Sequence, residues 1–336
     1  MEAIEPANLS SIVIPTYNRR ELTLRAIRSV LDQEHAGALE VIVVDDGSSD
    51  GTADAVAEEF RQDSRVRLLR SPHRYACAAR NLGFAAARGD FVCFLDSDDF
   101  WLPGALATFK AVFAHRPELA FVSIEGSTRA NGRQQAIPRI VASVSPGWSH
   151  ASFHLAPLQR TALVLPGSAV PAELTFGDFF PAIINGDLFY LSGMLIRRGS
   201  IVQAGPFNER LRYFNDWEFF ARLCLTGPGA YVNRDGFRRE TDRADQISRG
   251  RPVTAMPRRH LFILRNLLRS SQAMEGYRPQ LASAMADAQY AFARSLVQAR
   301  RYRWARRYLR GCIGERQKTA RSAVWFLFGP VLRNIL

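Results

Sequence analysis

Phe91-Val92-Cys93-Phe94-Leu95 runs directly into Asp96-Ser97-Asp98-Asp99, and few patterns restrict a fold more. Five apolar residues after the turn pair Gly89-Asp90 predict a fully buried strand. Open α/β sheets bind ligands at the carboxyl ends of such strands, where these three carboxylates lie. Three anionic side chains within four residues repel one another, and a cation relieves that repulsion. Oxygen ligands of this kind suit Mg²⁺ or Mn²⁺, with Mg²⁺ usually held by one or two carboxylates plus substrate phosphates. The competing reading is a solvated acidic turn that caps a helix at Trp101-Leu102-Pro103.

Two other strands decide between these readings. Glu40-Val41-Ile42-Val43-Val44 ends in Asp45-Asp46-Gly47-Ser48-Ser49-Asp50-Gly51-Thr52. That loop predicts an N-cap at Asp50 or Thr52 for a helix over Ala53 to Phe60. Ser11-Ile12-Val13-Ile14 enters Pro15-Thr16-Tyr17-Asn18, followed by a helix with Leu24, Ile27, Val30 and Leu31 on one face. Three strands thus deliver polar side chains from their carboxyl ends, with helices between them. The expectation is an α/β fold with a doubly wound, mostly parallel sheet and one shared site.

These segments, with Ala79-Arg80-Asn81 and Ala87-Arg88-Gly89-Asp90, resemble the family 2 glycosyltransferases of GT-A fold. The resemblance covers residues 10 to 115 closely and continues loosely to about 250. It implies that Pro15, Thr16, Tyr17, Asn18 and Asp46 hold a nucleoside, usually uridine. A Tyr17 ring can stack on a base, and an Asp46 carboxylate can accept a base imino hydrogen. It implies that Arg80 approaches the diphosphate, where a fixed cation helps neutralise charge. Asp96, Ser97 and Asp98 match the family's DXD motif, whose acids contact ribose and a divalent metal; Asp96 and Asp98 are the implied metal residues, for Mn²⁺ or Mg²⁺.

Phe214-Asn215-Asp216-Trp217-Glu218-Phe219-Phe220-Ala221-Arg222-Leu223 predicts a largely buried helix with Asp216 near its start. A capping carboxylate is one reading of Asp216. The resemblance implies another, the catalytic base of an inverting transfer, with Glu218 as the alternative. A carboxylate can take the proton of an attacking hydroxyl while the metal steadies the leaving phosphate. Many family members carry a His before a Gln-Ile-Ser-like stretch. Here the run is Arg238 to Ser248 and has no His; Arg243 falls near that position and could pair with the diphosphate without ligating metal. Asp187 to Arg198 resembles the family's strand beside the acceptor site. Trp148, His150 and His154 are readable either as packing residues or as part of an acceptor pocket.

The expected organisation is a nucleotide-sugar-binding half over 8–115, an acceptor and base half over 116–250, and a basic helical module over 251–336. That module holds 17 Arg or Lys against 3 Asp or Glu, while the whole chain is only +12. No nucleic-acid-binding motif accompanies the charge, so nucleic acid is not an expected partner. Leu261, Leu264, Leu267 and Leu268 predict one helix, and Tyr290–Ala299 with Tyr302–Ile313 a helical hairpin. Trp325 to Phe328 follow among basic residues, and together they suggest peripheral contact with an anionic membrane. Four isolated cysteines fit a reducing cytosol better than a disulfide framework. No signal peptide or spanning segment is evident, so a cytoplasmic location is expected.

The expected activity is transfer of a sugar from a nucleoside diphosphate sugar, UDP-linked by resemblance, to a hydroxyl acceptor in polysaccharide or cell-envelope glycan synthesis. A sugar nucleotidyltransferase would want a Gly-rich loop after the first strand, where Pro15-Thr16-Tyr17 has none. A non-catalytic nucleotide-sugar-binding scaffold would not need acids at 46, 96, 98 and 216 together.

Overall fold

The computed structural model describes residues 8–34, 37–130, 133–136, 158–240, 254–269 and 272–312. The chain divides into two compact units, residues 1–244 and 245–336.

In the first unit the apolar runs become β1 (Ser10–Thr16), β2 (Leu39–Asp45) and β4 (Phe91–Phe94), with β3 (Val66–Arg70) beside β2. Helices α1 (Arg20–Leu31), α2 (Thr52–Glu59) and α3 (Tyr75–Ala86) connect them. β1 pairs in parallel with both β2 and β4, and β2 pairs in parallel with β3. β1 and β2 are buried along their whole length, as their unbroken apolar sequences require. α1 buries Leu24, Ile27 and Val30 in the same core as Ile12 and Ile14 of β1.

The chain continues through β5 (Asp99–Trp101), α4 (Ala105–His115), β6 (Phe121–Ala130), β7 (Arg133–Ala136), β8 (Leu158–Leu163), β9 (Ala172–Gly177) and α5 (Phe180–Ile183). It closes the unit with β10 (Met194–Arg197), α6 (Arg198–Ala204), α7 (Asn215–Leu223) and β11 (Gly229–Glu240). The strand order is β3-β2-β1-β4-β10-β6-β11-β9-β8, with β5 on β11 and β7 on β6. β10 runs antiparallel to both β4 and β6, whereas β6 and β11 are parallel. The sheet is therefore parallel in its first half and mixed in its second.

Three local expectations change. The helix after the acid cluster does not start at Trp101: residues 99–101 pair with β11 as β5, and α4 begins at Ala105 after a left-handed Gly104. α2 is capped by Gly51, not by Asp50 or Thr52. Gly51 is left-handed at φ +79, while the Asp50 carboxylate accepts the Thr52 amide at 3.0 Å. Of residues 187–198, only Met194–Arg197 is strand.

The second unit contains α8 (Ala255–Arg269), α9 (Arg278–Gln298) and α10 (Tyr302–Cys312). α9 starts well before the expected Tyr290, because Pro279 suits the first turn of a helix. The turn to α10 passes through a left-handed Arg300, and Phe292 meets Tyr308 edge-on at 4.8 Å. Leu261, Leu264 and Leu267 are buried along α8, but Leu268 is exposed. The apolar stretch around Trp325 lies outside the described residues. No described helix is long and apolar enough to cross a membrane.

Candidate active site

The loops that leave β1 and β2 are stitched to each other. Asn18, left-handed at φ 50, donates its amide to the Ser48 hydroxyl at 2.9 Å, and its side-chain oxygen accepts the Ser49 amide at 2.7 Å. Asn tolerates this conformation better than most residues. Pro15 and Thr16 are buried at the strand end, with the Thr16 hydroxyl 2.7 Å from that of Thr23. Tyr17 is exposed on one side and faces the His73 ring at a centroid distance of 4.1 Å.

Asp46 ties the β2 loop to the turn that follows β3. Its carboxylate accepts the amides of Arg74 at 2.9 Å and Tyr75 at 2.7 Å, with His73 Nδ1 at 3.2 Å. The residue expected at a base thus also shapes the backbone, since it fixes the 73–75 turn on which Tyr17 leans. Tyr75 is itself left-handed at φ 71, a strained position for a bulky residue. Arg212 covers its ring at 4.2 Å and donates to its hydroxyl. Sequence reading missed His73, Tyr75 and Arg212, which carry no motif.

After β4, each acid finds a different partner. Asp96 pairs with Arg80 at 2.6 Å and Asp98 with Arg19 at 3.0 Å. Asp99 is buried and accepts the Ser192 hydroxyl, whose oxygen also takes the Asp96 amide at 3.2 Å. Ser97 is buried between them. Trp101 donates its indole N–H to the Ser192 carbonyl at 2.7 Å, which fixes that residue from the other side. Gly193 follows because a Cβ there would lie 2.4 Å from the Phe237 ring.

Burial pushes the Asp96 carboxyl up, but the Arg80 guanidinium, aided by Arg239 and Arg19, outweighs it and holds the group below its ordinary range. For Asp98 burial prevails: Arg19 pulls down, Asp96 pushes up, and the net direction is up. Burial also raises Asp99, well above the usual range, with Asp98 and Asp96 adding to it. Arg239 of β11 is drawn into this cluster. Burial opposes its charge, yet Asp99, Tyr190, Asp96 and Asp98 hold it firmly protonated. Two carboxylates whose charge burial penalises would welcome a divalent cation. Among the described residues no group of three or more His, Cys, Asp or Glu side chains is arranged to hold one. A metal at Asp96 and Asp98 would have to complete its coordination with substrate phosphates.

α7 brings the second chemical centre. Phe214, left-handed at φ 57, turns the chain into the helix, and Trp217 ties it down by donating its indole N–H to Ile183 O at 2.7 Å. Asp216 is part-exposed on the first turn and accepts the Trp217 amide at 2.9 Å. Glu218 differs. Both of its oxygens are engaged by Arg222, at 2.9 and 2.8 Å, and Arg222 also binds the carbonyls of Ala204, Gly205 and Pro206. That network makes Glu218 a support for the α6–α7 junction. Arg80 joins the centres: one guanidinium nitrogen holds Asp96 and another donates to Asn215 Oδ1 at 3.0 Å, next to Asp216. Arg243, Trp148, His150 and His154 lie outside the described residues.

Residues 11–164 match the family model described as glycosyl transferase family 2. Over that stretch, just under half of the chain, the sequence is similar to the family 2 glycosyltransferases. Over 104 residues it is 38% identical to an uncharacterised glycosyltransferase, alr2836, of Nostoc. Over 100 residues it is 40% identical to the GalNAc(5)-diNAcBac-PP-undecaprenol beta-1,3-glucosyltransferase of Campylobacter jejuni. These stretches span 31% and 29% of this chain and 32% of each relative's length. The structure of S. aureus TarS 1–349 superposes with a TM-score of 0.61 at 16% identity, covering 91% of this chain and 79% of that one. The same protein has been solved with UDP-GlcNAc, at a TM-score of 0.57. The fold is thus GT-A, with a helical C-terminal region.

Proposed function

We propose that this protein transfers a sugar from a nucleoside diphosphate sugar to a hydroxyl acceptor, with inversion at the anomeric carbon. The observation that carries the reading is the Arg80 bridge between Asp96 and Asn215. It joins the acids after β4 to the helix that bears Asp216, although the two are far apart in sequence. Arg19, Arg80 and Arg239 supply the positive charge that a diphosphate needs. Tyr17, against His73, offers a face for the base.

In this reading Asp216 accepts the proton of the attacking hydroxyl, and Asp96 and Asp98 would hold Mn²⁺ or Mg²⁺ with the diphosphate. Such a metal supplies Lewis-acid stabilisation of charge on the leaving phosphate. The TarS complex supports a UDP-linked donor, and the Campylobacter enzyme, named for a glycan on PP-undecaprenol, supports a lipid-linked glycan as acceptor. A panel of UDP-, GDP- and dTDP-sugars with Mn²⁺, assayed for nucleotide release, tests this: turnover of at least one UDP-sugar is expected. Absence of turnover, together with absence of nucleotide binding, contradicts the reading.

A peripheral membrane contact belongs to the same proposal. α10 presents Arg303, Arg306, Arg307 and the exposed Trp304 on its outer side, while Ala305 is buried. Cations beside an interfacial aromatic suit an anionic bilayer surface. Co-sedimentation with phosphatidylglycerol vesicles, lost in high salt and absent with phosphatidylcholine, is the expected result.

A further inference from the structure

A cavity of about 440 Å³ opens at the end of the sheet opposite the acids. Phe91 and Arg197, which line it, are paired across antiparallel β4 and β10, at the start of one strand and the end of the other. Asp96 follows the far end of β4, roughly 16 Å away at the spacing of a strand. Phe91, Ala107 and Phe113 make a buried floor, while Asn8, Ala114 and Pro166 form an exposed rim. The cavity is thus open to solvent. Ala107, Ala111 and Ala114 share one face of α4 at helical spacing, where longer side chains would fill the space.

Two cations line the same cavity. Lys110 Nζ lies 4.0 Å over the Phe91 ring and donates to the backbone and side-chain oxygens of Asn8, both at 2.8 Å. The Arg197 guanidinium lies 5.3 Å from the Phe91 ring centre and 5.0 Å from that of Phe113. Its Nε donates to Leu119 O at 2.8 Å and its Nη2 to Pro117 O at 2.6 Å. Every one of these partners is neutral. Among the described residues neither cation has a carboxylate in ion-pair contact. An ammonium carries three donors and a guanidinium five, so Lys110 keeps one N–H to spare and Arg197 its whole Nη1. Burial holds Lys110 down, to about 8; Asp90 pulls it up, and Arg197 pushes it further down. Two like charges without a counter-charge in contact ask for an anion. The floor of rings and methyl groups asks for an apolar body attached to it.

We propose that this cavity is a binding site for a small amphipathic carboxylate, its head at Lys110 and Arg197 and its apolar body along the alanine face of α4. The volume falls within the range of small-molecule sites. A carboxylate has two oxygens for the spare donors of the two cations, and a single charge to desolvate. The site is separate from the nucleotide cleft, and the proposal stands independently of the transferase reading.

Calorimetric titration of the full chain with octanoate tests it, with octanol and inorganic phosphate as probes of the tail and the charge alone. Octanoate should bind about tenfold or more tightly than either. Lys110→Gln should weaken octanoate about tenfold or more, the scale of a hydrogen bond to a charged group. Ala114→Trp, which narrows the mouth from an exposed position, should weaken it as well, with thermal stability close to that of the wild type. UDP affinity should be the same in both variants as in the wild type. No octanoate binding, equal binding of octanol or phosphate, or unchanged affinity in folded Lys110→Gln and Ala114→Trp overturns the proposal. Octanoate binding that UDP displaces places the ligand in the cleft and overturns it equally.

Discussion

The half of the sheet from β1 to β4 and the half from β6 to β11 supply the cleft in different ways. In the first, the charged side chains of the site lie within a few residues of a parallel strand's carboxyl end or at the start of the helix that follows, except Arg80, which comes from the middle of α3. Asp46, Asp96 and Asp98 belong to this group, with Arg19 beside them. In the second half, antiparallel β10 and the bulged pairing of β6 with β11 break that regularity. Its contributions, Ser192, Arg239 and Asp216, come from a turn, a strand end and a helix start. A parallel βαβ array has only one edge on which to build a site, so one half is fixed by topology. The other half is fixed by particular contacts, such as Trp217 on Ile183 and Trp101 on Ser192.

The sharpest way to separate the halves is to remove chemistry from one without touching the other. Asp216→Asn should lower turnover on the order of a hundredfold or more, the scale of a positioned general base. UDP affinity, which depends on the β1–β4 half, should stay within about twofold by calorimetry. Survival of turnover in Asp216→Asn would remove the base from α7.

Arg80→Ala attacks the link itself. It leaves Asp96 without its partner, in a pair whose Arg side chain is 7% exposed and whose Asp side chain is 38% exposed. Solvent at Asp96 screens the pair, so chemical denaturation should show a loss on the order of 2 kcal/mol, below the range for fully buried pairs. UDP binding and turnover should fall together, whereas a defect in only one of them would mean that the halves are not coupled through this residue.

Gly193→Ala tests the contact-built half. The added methyl would meet the Phe237 ring, and overpacking of this kind costs roughly 1–3 kcal/mol. The same change at the exposed Gly199, where a Cβ meets nothing, should be nearly neutral. Tyr17→Ala should have the smallest effect, a weakening of UDP affinity worth about 1–2 kcal/mol with the fold untouched.

The difference also explains what was readable in the sequence. β1, β2 and β4 announce themselves through unbroken apolar runs, and their acids through position at the run's end. The helix that bears Asp216 was readable from its apolar pattern, whereas a base role for Asp216 came only from the family resemblance. Arg239 was not readable, because its partners Asp96, Asp98 and Asp99 are remote in sequence and nothing in Arg238-Arg239-Glu240 marks a site. Ser192 was hidden likewise in an apolar segment. Glu218, the alternative to Asp216, has its ion-pair partner Arg222 four residues on, the spacing of a helical pair. The start of β5 resembled a helix entry because Pro103 favours one, and only pairing with β11 made it a strand.

Asp96 and Asp98, with the charges around them, are claimed to form one nucleotide site, and everything proposed for the cleft depends on it. Calorimetric titration of UDP into the wild type and into Asp98→Asn, each with and without Mn²⁺, tests this most directly. The prediction is metal-enhanced UDP binding in the wild type and loss of the enhancement in Asp98→Asn, with the fold intact. Equal UDP affinity in all four titrations, or no UDP binding in any, would contradict it.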